Sequence, residues 1–174
     1  METMFEEFKL GTAKLANRFV FPPIKLACGN PNGTVTERQL QFYQQIAQEG
    51  PAMVILEPVS VTVEGKEHPK QLCIHLPESA KELKKIVRVV QKEGRLACLH
   101  LNHAGAAANP KVTGTKPKAP SMITCPASGQ ESEPLSQEEI KTIITSYKSA
   151  GQKAVGAGFD LIEIQAGYQI AIRY

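Results

Sequence analysis

Lys25, Glu57, Ser60, His100, His103, Gln165 and Tyr168 are the residues of this 174-residue chain whose types and positions could do chemistry. Each follows a short apolar run: "RFVF" before Pro22-Pro23-Ile24-Lys25, "AMVIL" before Glu57-Pro58-Val59-Ser60, "RLACL" before His100-Leu101-Asn102-His103, and "FDLIEI" before Gln165 to Tyr168. A lysine there can donate to an anionic or carbonyl atom, or pack its stem and leave its head in water. Glu57 can act as a general acid or base, or as a buried carboxylate that holds the loop after it. His100 can contact a ligand or be a satisfied structural histidine. His100 and His103 are three apart, so on a strand they face opposite sides and do not share a metal. No GxSxG motif is present and no cysteine adjoins a histidine, so a nucleophilic triad has no support.

The elements that must position these residues alternate. Strands are expected at 18–27, broken at Pro22-Pro23, and at 52–61, 95–103 and 159–164. Between them lie three helices. The first starts at Thr36, with Gln39 set for a capping box, and stops at Gly50; its apolar face is Leu40, Tyr43, Ile46 and Ala47. The second runs from about Glu78 to Glu93, with Leu83, Ile86, Val87 and Val90 on one face. The third starts from a Ser136/Glu139 capping box, with Ile140, Ile143, Ile144 and Tyr147 as its face. The stretch 104–135 is proline-dense and too long for a simple connector. The order β-α-β-α-β-α-β argues for a parallel sheet with right-handed crossovers. In such a sheet all four polar tips lie at the same end, where α/β folds bind ligands. Neither GxGxxG nor GxxxxGK[ST] occurs, which removes the main signature of the two common phosphate-loop folds.

Composition narrows the classes. The net charge of +3 is small and Lys and Arg are spread along the chain, so no nucleic-acid partner is expected. No apolar run is long enough to span a membrane. The acidic N-terminus, "METMFEEFKLG", is unlike a signal peptide, which gives a cytoplasmic expectation. Cys28, Cys73, Cys98 and Cys125 form no CxxC pair and read as reduced thiols, with Cys98 in a buried strand.

The strand tips resemble a known family. "NRFVFPPI" is similar to the first strand of the Old Yellow Enzyme family of flavin-dependent oxidoreductases, which has an "NR-apolar-apolar-x-x-P" segment there. "EPVSV" resembles its second-strand end, "HLNHAGA" its "QLxHAGR", "APSMI" the "GPS" or "APS" of its long third loop, and "AGFDLIEIQAGY" its "AGFDGVEIHxAHGY". The matches fall in order across nearly the whole chain.

The resemblance implies an α/β fold, a TIM barrel holding FMN noncovalently. NAD(P)H is then the reductant, and an activated C=C bond conjugated to a carbonyl, as in an enone, is the small-molecule acceptor. It further implies that Pro23, Ile24 and Lys25 line the flavin, that Ser60 and His100 meet its polar edge, and that Gln165 and Tyr168 hold the substrate carbonyl. Lys25 replaces a usual Thr or Cys, His100 a usual Gln, and Gln165 and Tyr168 a usual histidine pair; Ala106 stands where the family often has Arg. A cation near the flavin should raise its potential.

A full barrel has eight strands. Residues 1–174 are therefore expected to form the N-terminal half-barrel, four strands and three helices, without the phosphate-binding loops of the second half. Strands one and four each leave an open edge, which invites a second copy or a complementing C-terminal half. The alternative expectation is a non-catalytic half-barrel serving assembly or folding. A third is a lyase or isomerase using Lys25 and Glu57.

Overall fold

The computed structural model describes residues 2–167. Four parallel strand positions stand side by side in chain order: β3 (Val20–Phe21), a second strand in two pieces, β4 (Met53–Ile55) and β5 (Val59–Ser60), then β6 (Leu96–Asn102) and β9 (Leu161–Ile164). Three long helices connect them: α1 (Glu37–Gln48), α2 (Ser79–Lys92) and α4 (Gln137–Ala157). This is the parallel β/α arrangement expected from the alternation, and the half-barrel that the family resemblance implied. The first strand is shorter than expected because Pro22 and Pro23 cannot continue the ladder.

The second strand holds a finding the sequence does not reveal. Met53 to Ile55 pair with Leu96 to Cys98, and Val59 and Ser60 with Leu101 and Asn102, so one extra residue sits in the second strand between the two pieces. That is a bulge at Glu57-Pro58. Its effect is a change of phase: Val54 and Leu56 face the helices below it, and Val59 and Val61 face them above it. Ser60 is thereby turned to the inner face of the sheet.

The outer face of the sheet makes the main core with the helices. Val54, Leu56, Val59, Ala97, Leu99 and Leu101 pack against Tyr43, Leu83, Ile86, Val87 and Val90. All four residues expected on the α2 face are buried there. Both expected capping boxes form. Thr36 Oγ1 accepts from the Gln39 N–H at 3.3 Å and Gln39 Oε1 from the Thr36 N–H at 3.0 Å; Ser136 and Glu139 exchange the same pair of bonds at 3.2 and 2.8 Å. Thr36→Ala should cost about 1 kcal/mol, read as a lower urea midpoint at unchanged m-value.

The third helix packs differently from expectation. Its buried residues are Ala150, Ala154 and Ala157, while Ile144 is exposed and Ile140, Ile143 and Tyr147 are only half-buried. The alanines let α4 lie close against α2 and β6, so the small residues of its second half make the contact.

An antiparallel hairpin, β1 (Phe8–Leu10) and β2 (Ala13–Leu15), precedes the sheet. Gly11 provides the positive φ of its turn. Leu15 packs with Ala52, Met53 and Cys98 and closes the N-terminal end of the inner face. The long stretch after β6 is ordered by a short helix, α3 (Pro110–Thr113), by the parallel pair β7 (Lys118–Ala119) and β8 (Glu133–Pro134), and by a small core of Ala106, Ala119 and Cys125. Lys118 pairs with Glu139 and ties it to α4. Among the described residues no helix is long and apolar enough to cross a membrane.

Candidate active site

Strand parity decides which side chains reach the inner face. Along β6, Ala97, Leu99 and Leu101 face the helices and Leu96 and Cys98 face inward, so His100 and Asn102 also face inward. Along β9, Leu161 faces inward, and Glu163 and Gln165 follow it. Ser60, beyond the bulge, joins them. Pro23, Ile24 and Lys25 follow directly on β3 at the same end of the sheet, with Ile24 42% exposed. The structure thus brings Ile24, Lys25, Ser60, His100 and Gln165 to one end of the sheet. Tyr168 lies outside the described residues.

His100 is buried and stands opposite Glu163 in the parallel register. Its Nδ1 is 3.1 Å from Glu163 Oε2, within ion-pair range. The angle is not that of a hydrogen bond, however, and both atoms lack a directed partner among the described residues. A hydrogen bond weakens steeply off line, so the contact is a close approach without a directed hydrogen bond. His75 Nδ1, Gln130 Oε1 and Tyr147 Oη, away from the strand tips, are buried without a directed partner as well.

Lys25 pairs with Glu67 Oε2, and Glu67 Oε1 accepts from Asn102 Nδ2 at 3.3 Å. The Glu67 N–H donates to Gln71 Oε1 at 2.9 Å, and Gln71 Nε2 donates to the Pro58 carbonyl at 3.2 Å. The tips of the first three strand positions are thus tied through one loop. Glu67 and Asn102 are the residues that sequence reasoning passed over. Asn102 could have been found from its parity with His100; Glu67 sits in a polar loop whose return to the strand tips has no local signal.

Ser60 is fully buried. Its hydroxyl donates to the Thr62 carbonyl at 2.6 Å, its N–H donates to Leu72 and its carbonyl accepts from Ile74. It forms wall and offers no free donor. Gln165 is half-buried, and its N–H donates to the Leu101 carbonyl at 3.0 Å, which carries the sheet pairing one residue past β9. His103 stands beyond β6; its Nδ1 accepts from the Gly105 N–H, and burial pushes its pKa down from the ordinary histidine value. Among the described residues no cluster of metal-ligating side chains occurs.

Glu57 takes the second of its two readings. It is buried, receives Gln39 Nε2 and faces the Ala27 N–H, and its backbone N–H donates to Tyr43 Oη at 2.8 Å. Burial pushes its pKa up to about 7, against the pull of the Gln39 and Ala27 bonds. Its carboxylate locks the bulge to α1. Lys25 is paired with Glu67 instead, so the lyase or isomerase reading loses its acid–base partner. A cavity of about 350 Å³ lies between α4 and Ile74-His75, and one of about 330 Å³ opens beside His103; neither is lined by Lys25, His100 or Gln165.

Residues 3–170 match the NADH:flavin oxidoreductase / NADH oxidase family. The chain belongs to this family. It is 31% identical over 167 residues to an NADPH dehydrogenase of Clostridium acetobutylicum, covering 95% of this chain and 48% of that protein. To an NADH oxidase of Thermoanaerobacter brockii it is 30% identical, over 95% of this chain and 26% of the relative. The chain therefore spans half or less of the length of these relatives. Among solved structures, the Old Yellow Enzyme of Pichia sp. AKU4542 superposes with a TM-score of 0.85 at 27% identity, over 93% of this chain and 45% of that one. Morphinone reductase superposes with a TM-score of 0.88 at 23% identity, over 97% and 49%, and so speaks to the fold alone.

Proposed function

We propose that residues 1–174 are the half of an FMN-dependent NAD(P)H oxidoreductase that holds the flavin ring. The observation that carries the reading is the convergence of Ile24, Lys25, His100, Asn102 and Gln165 on one end of the sheet in a chain of this family. A planar group with a polar edge set against His100 gives its Nδ1 the partner it lacks. Pro23 and Ile24 offer an apolar shelf to the ring, Ser60 packs as wall, and Lys25 and Asn102 supply donors at the rim. When bound, FMN supplies the hydride carrier between NAD(P)H and an activated C=C bond. Gln165 and Tyr168 are the groups proposed to hold the carbonyl oxygen of an enone; an amide and a phenol both donate to such an oxygen.

The test is equilibrium titration of the protein with FMN, followed by gel filtration. The expected result is flavin that co-elutes with the protein, with His100→Ala weakening the dissociation constant about tenfold, the loss of one good hydrogen bond. Free flavin separating completely from the wild-type chain would overturn the reading.

A second reading is favoured by exposed apolar side chains at both sheet edges: Val20 on β3, and Ile162 and Ile164 on the helix side of β9. Open parallel edges with apolar flanks favour association, with a second copy or a complementing C-terminal half. In that reading the chain is a non-catalytic half-barrel, an assembly unit without bound flavin. Light scattering at two concentrations separates the readings when set beside the titration. The four free thiols fit a cytoplasmic location.

A further inference from the structure

We infer that Glu67 is a positioning residue of the flavin site: it fixes Lys25 at the rim and cancels its charge there. The inference rests on the flavin reading above and adds a residue that the strand-tip resemblance did not contain. Both carboxylate oxygens of Glu67 are engaged, one by Lys25 from the first strand and one by Asn102 from the third. Its backbone is held as well. The N–H goes to Gln71, itself buried and bonded to the bulge at Pro58. The preceding carbonyls, of Gly65 and Lys66, accept from the Ala104 and Asn109 N–H groups at 3.0 and 2.9 Å. A carboxylate fixed from so many sides is preorganised before any ligand arrives.

Stability does not account for this construction. The Lys25 side chain is 50% exposed and that of Glu67 19%, and ion pairs near water contribute little to folding. What the pair does achieve is a defined place for a long, flexible cation at the inner tip of β3, with its charge offset by a neighbour that also orients Asn102. A lysine alone at the rim would favour the reduced ring, since reduction by two electrons and one proton leaves FMN with an added negative charge. Paired with Glu67, Lys25 presents donors without that net charge. The expectation drawn from Lys25 alone, a raised potential, is therefore replaced by near-neutral tuning.

The experiment measures the midpoint potential of FMN bound to the full chain in four forms: wild type, Glu67→Gln, Lys25→Met and the double variant. Glu67→Gln should favour the reduced form about tenfold, a positive shift of about 30 mV for a two-electron couple. Lys25→Met should shift it the opposite way, and the double variant should return close to wild type. Glu67→Asp, which keeps the charge on a shorter stem, should recover most of the shift. A merely structural role cannot produce opposite shifts that cancel. Bound FMN with an unchanged potential in Glu67→Gln, or a double variant that fails to return, overturns the inference alone. A wild-type chain that retains no FMN overturns the flavin reading and the inference with it.

Discussion

Replacing Glu57 by Gln should make the fold more stable than wild type at pH 8 and leave it nearly unchanged at pH 5. The carboxyl is buried between α1 and the bulge of the second strand, and burial raises its pKa to about 7 from an ordinary value of 4.5. Between those two values the folded chain keeps the proton and the unfolded chain releases it. The group's contribution is therefore fully present below 4.5 and is lost as pH rises through about 7. The gap corresponds to roughly 3 kcal/mol at most. Glutamine resembles the protonated acid, with one acceptor for Gln39 or the Ala27 N–H and one donor side, and it does not titrate. Urea unfolding of both proteins at pH 5, 6.5 and 8 measures the difference directly. A difference that stays flat across this range would mean that Glu57 ionises freely in the folded chain.

Gly65→Ala should destabilise the protein by about 1–3 kcal/mol, the cost of overpacking, and weaken FMN binding at the same time. A Cβ on Gly65 would stand 2.7 Å from Cδ2 and 2.8 Å from Cγ of His103, and 3.0 Å from its Cα. The contact includes the His103 backbone at Cα as well as its buried ring, so turning the ring toward the neighbouring cavity does not relieve it and the loop must move. Glu67 is two residues along that loop, and with it go Lys25 and Asn102. Gly156→Ala is the control: it lies inside α4 with nothing within 4 Å of its added carbon, and it should stabilise by about 0.5–1 kcal/mol without touching flavin affinity. Equal behaviour of the two variants in urea melts and FMN titrations would show that the contact at His103 is not rigid.

The frame of the site was legible because it is written in local patterns. Leu83, Ile86, Val87 and Val90 recur at helical spacing, and Thr36/Gln39 and Ser136/Glu139 carry capping chemistry that needs only three residues to be read. Lys25, His100 and Gln165 were found because each follows an apolar run. The parts that were not legible depend on distant contacts. "AMVILEPVSV" is apolar on both faces, so no alternation shows where its phase changes. The choice of Ala150, Ala154 and Ala157 over the isoleucines as the contact of α4 is set by how closely the helix can approach its neighbours. Glu67 reaches the site through the course of a whole loop, pinned by Gln71, Ala104 and Asn109.

The bulge at Glu57-Pro58 divides the second strand into two lengths that answer to different demands. Below it, Met53 and Ile55 are read only by the packing of the inner core. Above it, Ser60 and the loop that carries Glu67 are read by the ligand end. Because the phase is reset between them, the upper length can drift in sequence without turning a core residue outward. Loss of the single extra residue there would restore an unbroken ladder, with Val59 still toward the helices and Ser60 still inward, so what the bulge adds to the strand is the link that Glu57 makes to α1.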